Sequence, residues 1–169
     1  QPIGDVEASP VLRGTRVYVA ANDGRVYAFD KTTGQQAWTY DTGAQPIKGF
    51  LFPDRSAGGT GLYFATTDRI HGLSDDGGSA SALFAPLAFI SPSIVLFRPA
   101  SGGEPPRLYF GAGNQRLYEL DLSGTPVPGQ KFVVLGGVPS VIGAPSYDSD
   151  HGLVYVGSDA GAVYAVAGL

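Results

Sequence analysis

Four tyrosines, at positions 18, 63, 109 and 155, mark steps of 45, 46 and 46 residues along the chain. A fixed period in that range is the mark of a repeat architecture, so it limits the fold before any other feature does. Each tyrosine sits in the same short phrase: Val17-Tyr18-Val19-Ala20, Leu62-Tyr63-Phe64-Ala65, Leu108-Tyr109-Phe110-Gly111 and Val154-Tyr155-Val156-Gly157. A second apolar phrase follows each one: Val26-Tyr27-Ala28-Phe29, Ile70-His71-Gly72-Leu73, Leu117-Tyr118-Glu119-Leu120 and Val163-Tyr164-Ala165-Val166. Both phrases are four residues long and rich in β-branched and aromatic side chains, which predicts strands.

Turn chemistry separates the two phrases: Asn22-Asp23-Gly24, Thr67-Asp68, Gly113-Asn114 and Asp159-Ala160-Gly161. Gly, Asn and Asp accept the positive φ that a tight hairpin demands, so each unit has a central hairpin. A proline-containing run precedes each hairpin: Ala8-Ser9-Pro10-Val11-Leu12, Phe50-Leu51-Phe52-Pro53, Ile90-Ser91-Pro92-Ser93-Ile94-Val95 and Gly143-Ala144-Pro145-Ser146. Three of the units continue into a fourth run: Ala37-Trp38-Thr39-Tyr40, Ala82-Leu83-Phe84 and Lys131-Phe132-Val133-Val134. Nothing holds helical periodicity for three turns. Four short antiparallel strands in each unit predict an all-β chain of β-propeller blades, with three full blades and a three-stranded fourth. The expected blades cover about 1–44, 45–87, 88–137 and 138–169 within one partial propeller, 1–169.

The first unit carries a sharper pattern. Ala28-Phe29-Asp30-Lys31-Thr32-Thr33-Gly34-Gln35-Gln36-Ala37-Trp38 matches every fixed position of the A-x-D-x-x-T-G-x-x-x-W tryptophan-docking motif. In this it resembles the pyrroloquinoline quinone (PQQ)-type, quinoprotein-like propeller repeat family. That family includes the outer-membrane assembly lipoproteins of bacteria and the quinoprotein dehydrogenases. The resemblance implies that Ala28, Asp30, Thr33, Gly34 and Trp38 form a structural motif, the ring of Trp38 lying across the neighbouring blade. The later units depart from the pattern. Gly72, Ser74, Gly77-Gly78 and Ala82 stand at the motif positions of the second, which leaves Leu83, Phe84 and Phe132 to fill the space between blades. The third keeps Asp121 and Ser123-Gly124 but has Glu119 for the alanine and Pro128 near the tryptophan position.

Rings of this family have six to eight blades, within the range propellers span. Gln1-Pro2-Ile3 recurs as Gln45-Pro46-Ile47, which puts residue 1 at a blade boundary, and nothing in residues 1–7 is left to supply a missing fourth strand. The chain is therefore expected to be the C-terminal half of a larger ring. A closed four-bladed ring, or two copies closing one eight-bladed ring, are the alternatives. An open arc leaves apolar blade faces uncovered, so the expected partners are upstream blades of the same chain or a second protein chain.

Composition removes several function classes. A net charge of −4 with eleven scattered Lys and Arg excludes a phosphate-tracking surface, so no nucleic acid is expected. No run reaches the ~18–20 apolar residues of a membrane span. There is no cysteine. A dehydrogenase of the family would hold the quinone on a tryptophan floor beneath adjacent cysteines, with a Ca²⁺ on Glu and Asn and an Asp as base. One tryptophan and no cysteine make a poor start for that site.

The remaining candidates read as structure. His71 replaces a strand tyrosine and is expected to have a satisfied ring. Asp148-Ser149-Asp150-His151-Gly152 begins like a calcium loop but lacks the third acid and the later bidentate Glu, so a tight turn is expected. Asp75-Asp76-Gly77-Gly78 also reads as a turn. Ser9, Ser91 and Ser146 stand beside prolines without a His–acid pair, and the insertion at 99–106 reads as a polar surface loop. The expectation is a non-catalytic scaffold or binding module for protein or ligand contact. It carries no catalytic, cofactor or metal residues, and the resemblance places it in the periplasm or outside the cell. The alternative is the C-terminal half of a PQQ-dependent dehydrogenase using PQQ and Ca²⁺.

Overall fold

Side chains of a strand alternate between its two faces, so a strand buried at every position must be covered on both. In β6 (Gly61–Ala65), Leu62, Tyr63, Phe64 and Ala65 are all buried. The computed structural model shows how. It describes residues 3–43, 45–54, 61–85, 90–97, 106–122 and 132–167, with backbone alone at 81 and 91–97. These form four antiparallel sheets in chain order.

The first sheet is β1 (Val11–Arg13), β2 (Arg16–Ala20), β3 (Arg25–Asp30) and β4 (Gln36–Asp41). The second is β5 (Phe52–Pro53), β6, β7 (Ile70–Ser74) and β8 (Ala80–Phe84), and the third is β9 (Ile90–Phe97), β10 (Arg107–Ala112), β11 (Arg116–Asp121) and β12 (Phe132–Val134). The fourth has three strands, β13 (Ser146–Asp148), β14 (Leu153–Gly157) and β15 (Val163–Ala167). In every sheet each strand pairs with its neighbour in sequence, the up-and-down order of a propeller blade.

Three apolar cores join the sheets. The first unites Tyr18, Ala20, Val26 and Ala28 of the first sheet with Leu62, Phe64 and Leu73 of the second. The next packs Tyr63, Ala65 and Ile70 of the second sheet against Leu108, Phe110, Tyr118 and Leu120 of the third. The last packs Tyr109 and Leu117 of the third against Val154 and Val156 of the fourth. Each repeat therefore sends its tyrosine forward to the next sheet and its flanking aliphatic or aromatic residues back to the previous one. Each fully buried Leu or Phe contributes roughly 1.5–3 kcal/mol.

Two boundaries differ from the sequence reading for one physical reason. The inner strands of the first and fourth sheets start at Val11 and Ser146, each the residue after a proline, rather than before it. Proline has no N–H to give a ladder, so pairing begins beyond it.

Candidate functional site

The chemistry-bearing side chains gather where sheets meet, and the richest joint lies between the first two. Asp30 closes the β3–β4 turn: its Oδ1 accepts from the amides of Thr32 (3.0 Å) and Thr33 (2.9 Å) and from Thr33 Oγ1 (3.1 Å). Those Thr33 and Thr32 bonds hold its carboxyl below the usual range. The Gly34 amide donates to the Asp30 carbonyl at 2.8 Å, with Gly34 at φ +70°. Ala28 is fully buried and pairs with Trp38 across the ladder beside a bulge.

Trp38 crosses to the second sheet. Its Nε1–H donates to the carbonyl oxygen of Asp75 (3.2 Å), which also accepts from the Tyr18 hydroxyl (3.3 Å). The indole lies flat on Gly77, where a Cβ would fall 2.6 Å from the ring. Arg13 completes the fastening, with Nε 3.0 Å from Asp75 Oδ2 and Nη1 donating to the Gly61 carbonyl at 3.0 Å. Burial pushes the Asp75 carboxyl up while Arg13 pulls it down. Asp76 Oδ1 accepts from Ser74 Oγ (2.6 Å) and the Gly78 amide (2.8 Å), so residues 75–78 are the β7–β8 turn on which the tryptophan rests.

His71 occupies the same joint. Its ring stacks on Phe64 (4.8 Å between centroids, 4° between planes) and meets the edge of Tyr40 at 6.3 Å. Nε2 lies 3.2 Å from Thr66 Oγ1, but the buried Nδ1 meets no hydrogen-bonding group among the described residues. The ring is therefore half satisfied, short of the sequence expectation. Burial, helped by the Arg69 guanidinium, lowers its pKa to about 4.

At the second joint the register departs from residue counting. Counting from the motif puts Ala82 at the tryptophan position, yet Ala82 pairs with His71 and is exposed, and Ser81 stands opposite Gly72. The bulge here falls between Ile70 and His71, two steps from its place in the first sheet. Leu83 is the extra residue and leans over Gly72. Phe84 packs on Phe110 and Tyr118 at 6.0 and 5.5 Å, and Phe132 on Tyr118 at 5.7 Å. A shallow groove of about 260 Å³ remains beside this joint, lined by Tyr63, Gly72, Ser74, Ser79, Leu83 and Leu122.

The third joint holds a pair the sequence reading missed. Glu119 is almost fully buried, with Oε1 2.8 Å from Arg107 Nε. Tyr109, opposite Glu119 in the ladder, stacks on Tyr147 of the fourth sheet with planes 5° apart. Burial pushes the Tyr109 hydroxyl up, and the Glu119 charge adds to that. The signal was present: Arg107 and Glu119 are diagonal neighbours on one face once the hairpin register is fixed.

The other candidates lie apart. His151 Nδ1 sits 2.7 Å from Asp148 Oδ2, and Asp148 Oδ1 accepts the amides of Asp150 and His151, which makes 148–152 an exposed turn between β13 and β14. Ser9 and Ser146 are exposed. The side chain of Ser91, residues 99–105 of the insertion, and Ser123, Gly124 and Pro128 lie outside the described residues. No group of three or more His, Asp or Glu able to hold a metal occurs among the described residues, and no helix is long and apolar enough to cross a membrane. The quinone set fits poorly: the chain has no cysteine, and its single tryptophan spends its N–H on Asp75.

Four sheets stacked in chain order, each built on the same hairpin, define a β-propeller of PQQ-type repeats. Residues 2–167 match the family model described as outer membrane protein assembly factor BamB, and the chain belongs to that family. No curated protein matches it. Among solved structures it is similar to the computationally designed Ika4 protein (17% identity, TM-score 0.74), covering 100% of this chain and 94% of that one. It is similar also to the computationally designed Ika8 protein (20% identity, TM-score 0.67), covering 95% of this chain and 45% of that one. BamB from Moraxella catarrhalis gives 13% identity and a TM-score of 0.62, over 95% of this chain and 42% of BamB. The chain thus spans less than half the length of Ika8 and of BamB.

Proposed function

We propose that this chain is a non-catalytic propeller module, a scaffold or binding surface for protein contact in the periplasm or outside the cell. The observation that supports this best is the fate of its reactive-looking groups. Asp75 is taken by Arg13, and its backbone carbonyl by Tyr18 and Trp38. Glu119 is taken by Arg107, and Asp148 by His151. Each serves a joint or a turn, whereas a catalytic group must be open to a substrate. The family description, an assembly factor of the outer membrane, favours protein partners such as those of that assembly.

The test has two arms. Photo-crosslinking of the chain in a bacterial envelope fraction should give discrete protein adducts. Incubation with PQQ and Ca²⁺ should give neither a stoichiometric quinone complex nor dye-linked alcohol oxidation, and either of those would overturn the scaffold reading.

A further inference from the structure

The groove at the second joint lies where the first joint holds its tryptophan. The ladder pairs Arg16–Asp30, Gly61–Ser74 and Arg107–Asp121 occupy equivalent places in the first three sheets. Tyr63 and Gly72 therefore stand in the second sheet where Tyr18 and Ala28 stand in the first. Leu122, which follows Asp121, holds in the third sheet the place that Asp75, after Ser74, holds in the second. At the first joint Tyr18, Ala28 and Asp75 converge on one group, the side chain of Trp38. Its ring lies 5.7 Å from that of Tyr18, pairs across the ladder from Ala28 and donates to the Asp75 carbonyl. At the second joint Tyr63, Gly72 and Leu122 line the groove of about 260 Å³.

Three features keep that groove open. The residue opposite Gly72 is Ser81, which has no ring. Phe84, the aromatic residue of β8, is committed to Phe110 and Tyr118. Gly61 and Gly72 replace Arg16 and Ala28, which removes two side chains from the lining. The groove is continuous with the apolar core of its joint: Tyr63 belongs to that core, and Leu83 and Leu122 pack against it. An apolar cavity of ~150 Å³ takes up a benzene, so the volume suffices for one aromatic ring system.

We propose that this groove binds a tryptophan side chain of a partner protein, its indole taking the place that Trp38 takes one joint earlier. The ring packs between Tyr63 and Leu83, and its N–H donates to the Leu122 backbone oxygen as that of Trp38 donates to Asp75. The groove is shallow, whereas pockets for free small molecules bury about 70–90% of their ligand. A ring carried on a polypeptide, whose flanking backbone adds contact at the rim, therefore fits it better than free indole. The inference rests on the scaffold reading and names the side chain that such a partner presents.

The test is an amide NMR titration of the isotope-labelled 169-residue chain with two capped peptides, Gly-Ser-Trp-Ser-Gly and Gly-Ser-Leu-Ser-Gly. The tryptophan peptide should shift the amides of Gly72, Ser74, Ser79, Leu83 and Leu122. It should bind about tenfold more tightly than the leucine peptide, and more tightly than free indole. Ser79→Glu, a change at an exposed position of the rim, should abolish those shifts and leave the rest of the spectrum native. Ser81→Trp, which returns a ring to the ladder place of Trp38, should abolish them too and raise the urea midpoint. An unshifted groove, equal binding of the two peptides, free indole binding as tightly as the peptide, or binding that survives both substitutions would overturn the proposal. Discrete protein adducts in envelope cross-linking alongside any of those results would refute this inference and leave the scaffold reading standing. A quinone complex would defeat the scaffold reading whatever the peptides do.

Discussion

The indole N–H of Trp38 donates to the backbone oxygen of Asp75, 3.2 Å away on the next sheet, and the same ring covers Gly77. The sharpest motif in the chain is therefore a clasp between two repeats. Trp38→Ala removes a half-buried indole and one hydrogen bond, and should cost about 2 kcal/mol in urea denaturation. Trp38→Phe, which keeps the stacking on Gly77 but loses the donor, should cost about half of that.

Gly34 and Gly77 separate backbone strain from steric contact. Both have positive φ, +70° and +73°. Nothing lies within 4 Å of a Cβ at Gly34, so Gly34→Ala should cost only the left-handed penalty of about 1–2 kcal/mol. Gly77→Ala adds a collision with the Trp38 ring and should cost about 3 kcal/mol or more. Equal shifts in the two urea midpoints would show that the ring does not rest on Gly77.

His71 makes stability depend on pH with a definite sign. Its folded pKa is lowered to about 4 from an unfolded value near 6.5, so the native state favours the neutral ring. The stabilisation is present above pH 6.5 and is lost as pH falls toward 4, by up to about 3 kcal/mol. His71→Phe should flatten the difference between pH 7 and pH 4.5, read as the change in urea midpoint of variant against wild type.

The buried Arg107–Glu119 pair should behave non-additively. Glu119→Leu leaves a guanidinium with little access to water and should cost about 3 kcal/mol. The double variant Arg107→Leu with Glu119→Leu should recover most of that loss, and a double-mutant cycle in urea measures the coupling.

Much of this fold was legible in the period and in the alternation of Val17 to Ala20 and its copies, because a hairpin is a local object. What the sequence reading could not supply was non-local. A shift of two residues in bulge position moves Leu83, rather than Ala82, over Gly72, and no spacing rule reports where a bulge falls. Asp75 as the resting place of Trp38 depends on how one sheet leans on the next. Glu119 looked like a lapse in the motif until the ladder set it beside Arg107.

Trp38 is the chain's only tryptophan, so its fluorescence reports on one joint alone. In a stack where each repeat touches only its neighbours, the far end can melt while the emission stays native. Dichroism and fluorescence should then part company on heating. The gap between the two curves measures how far opening of the fourth sheet runs ahead of the clasp at the first.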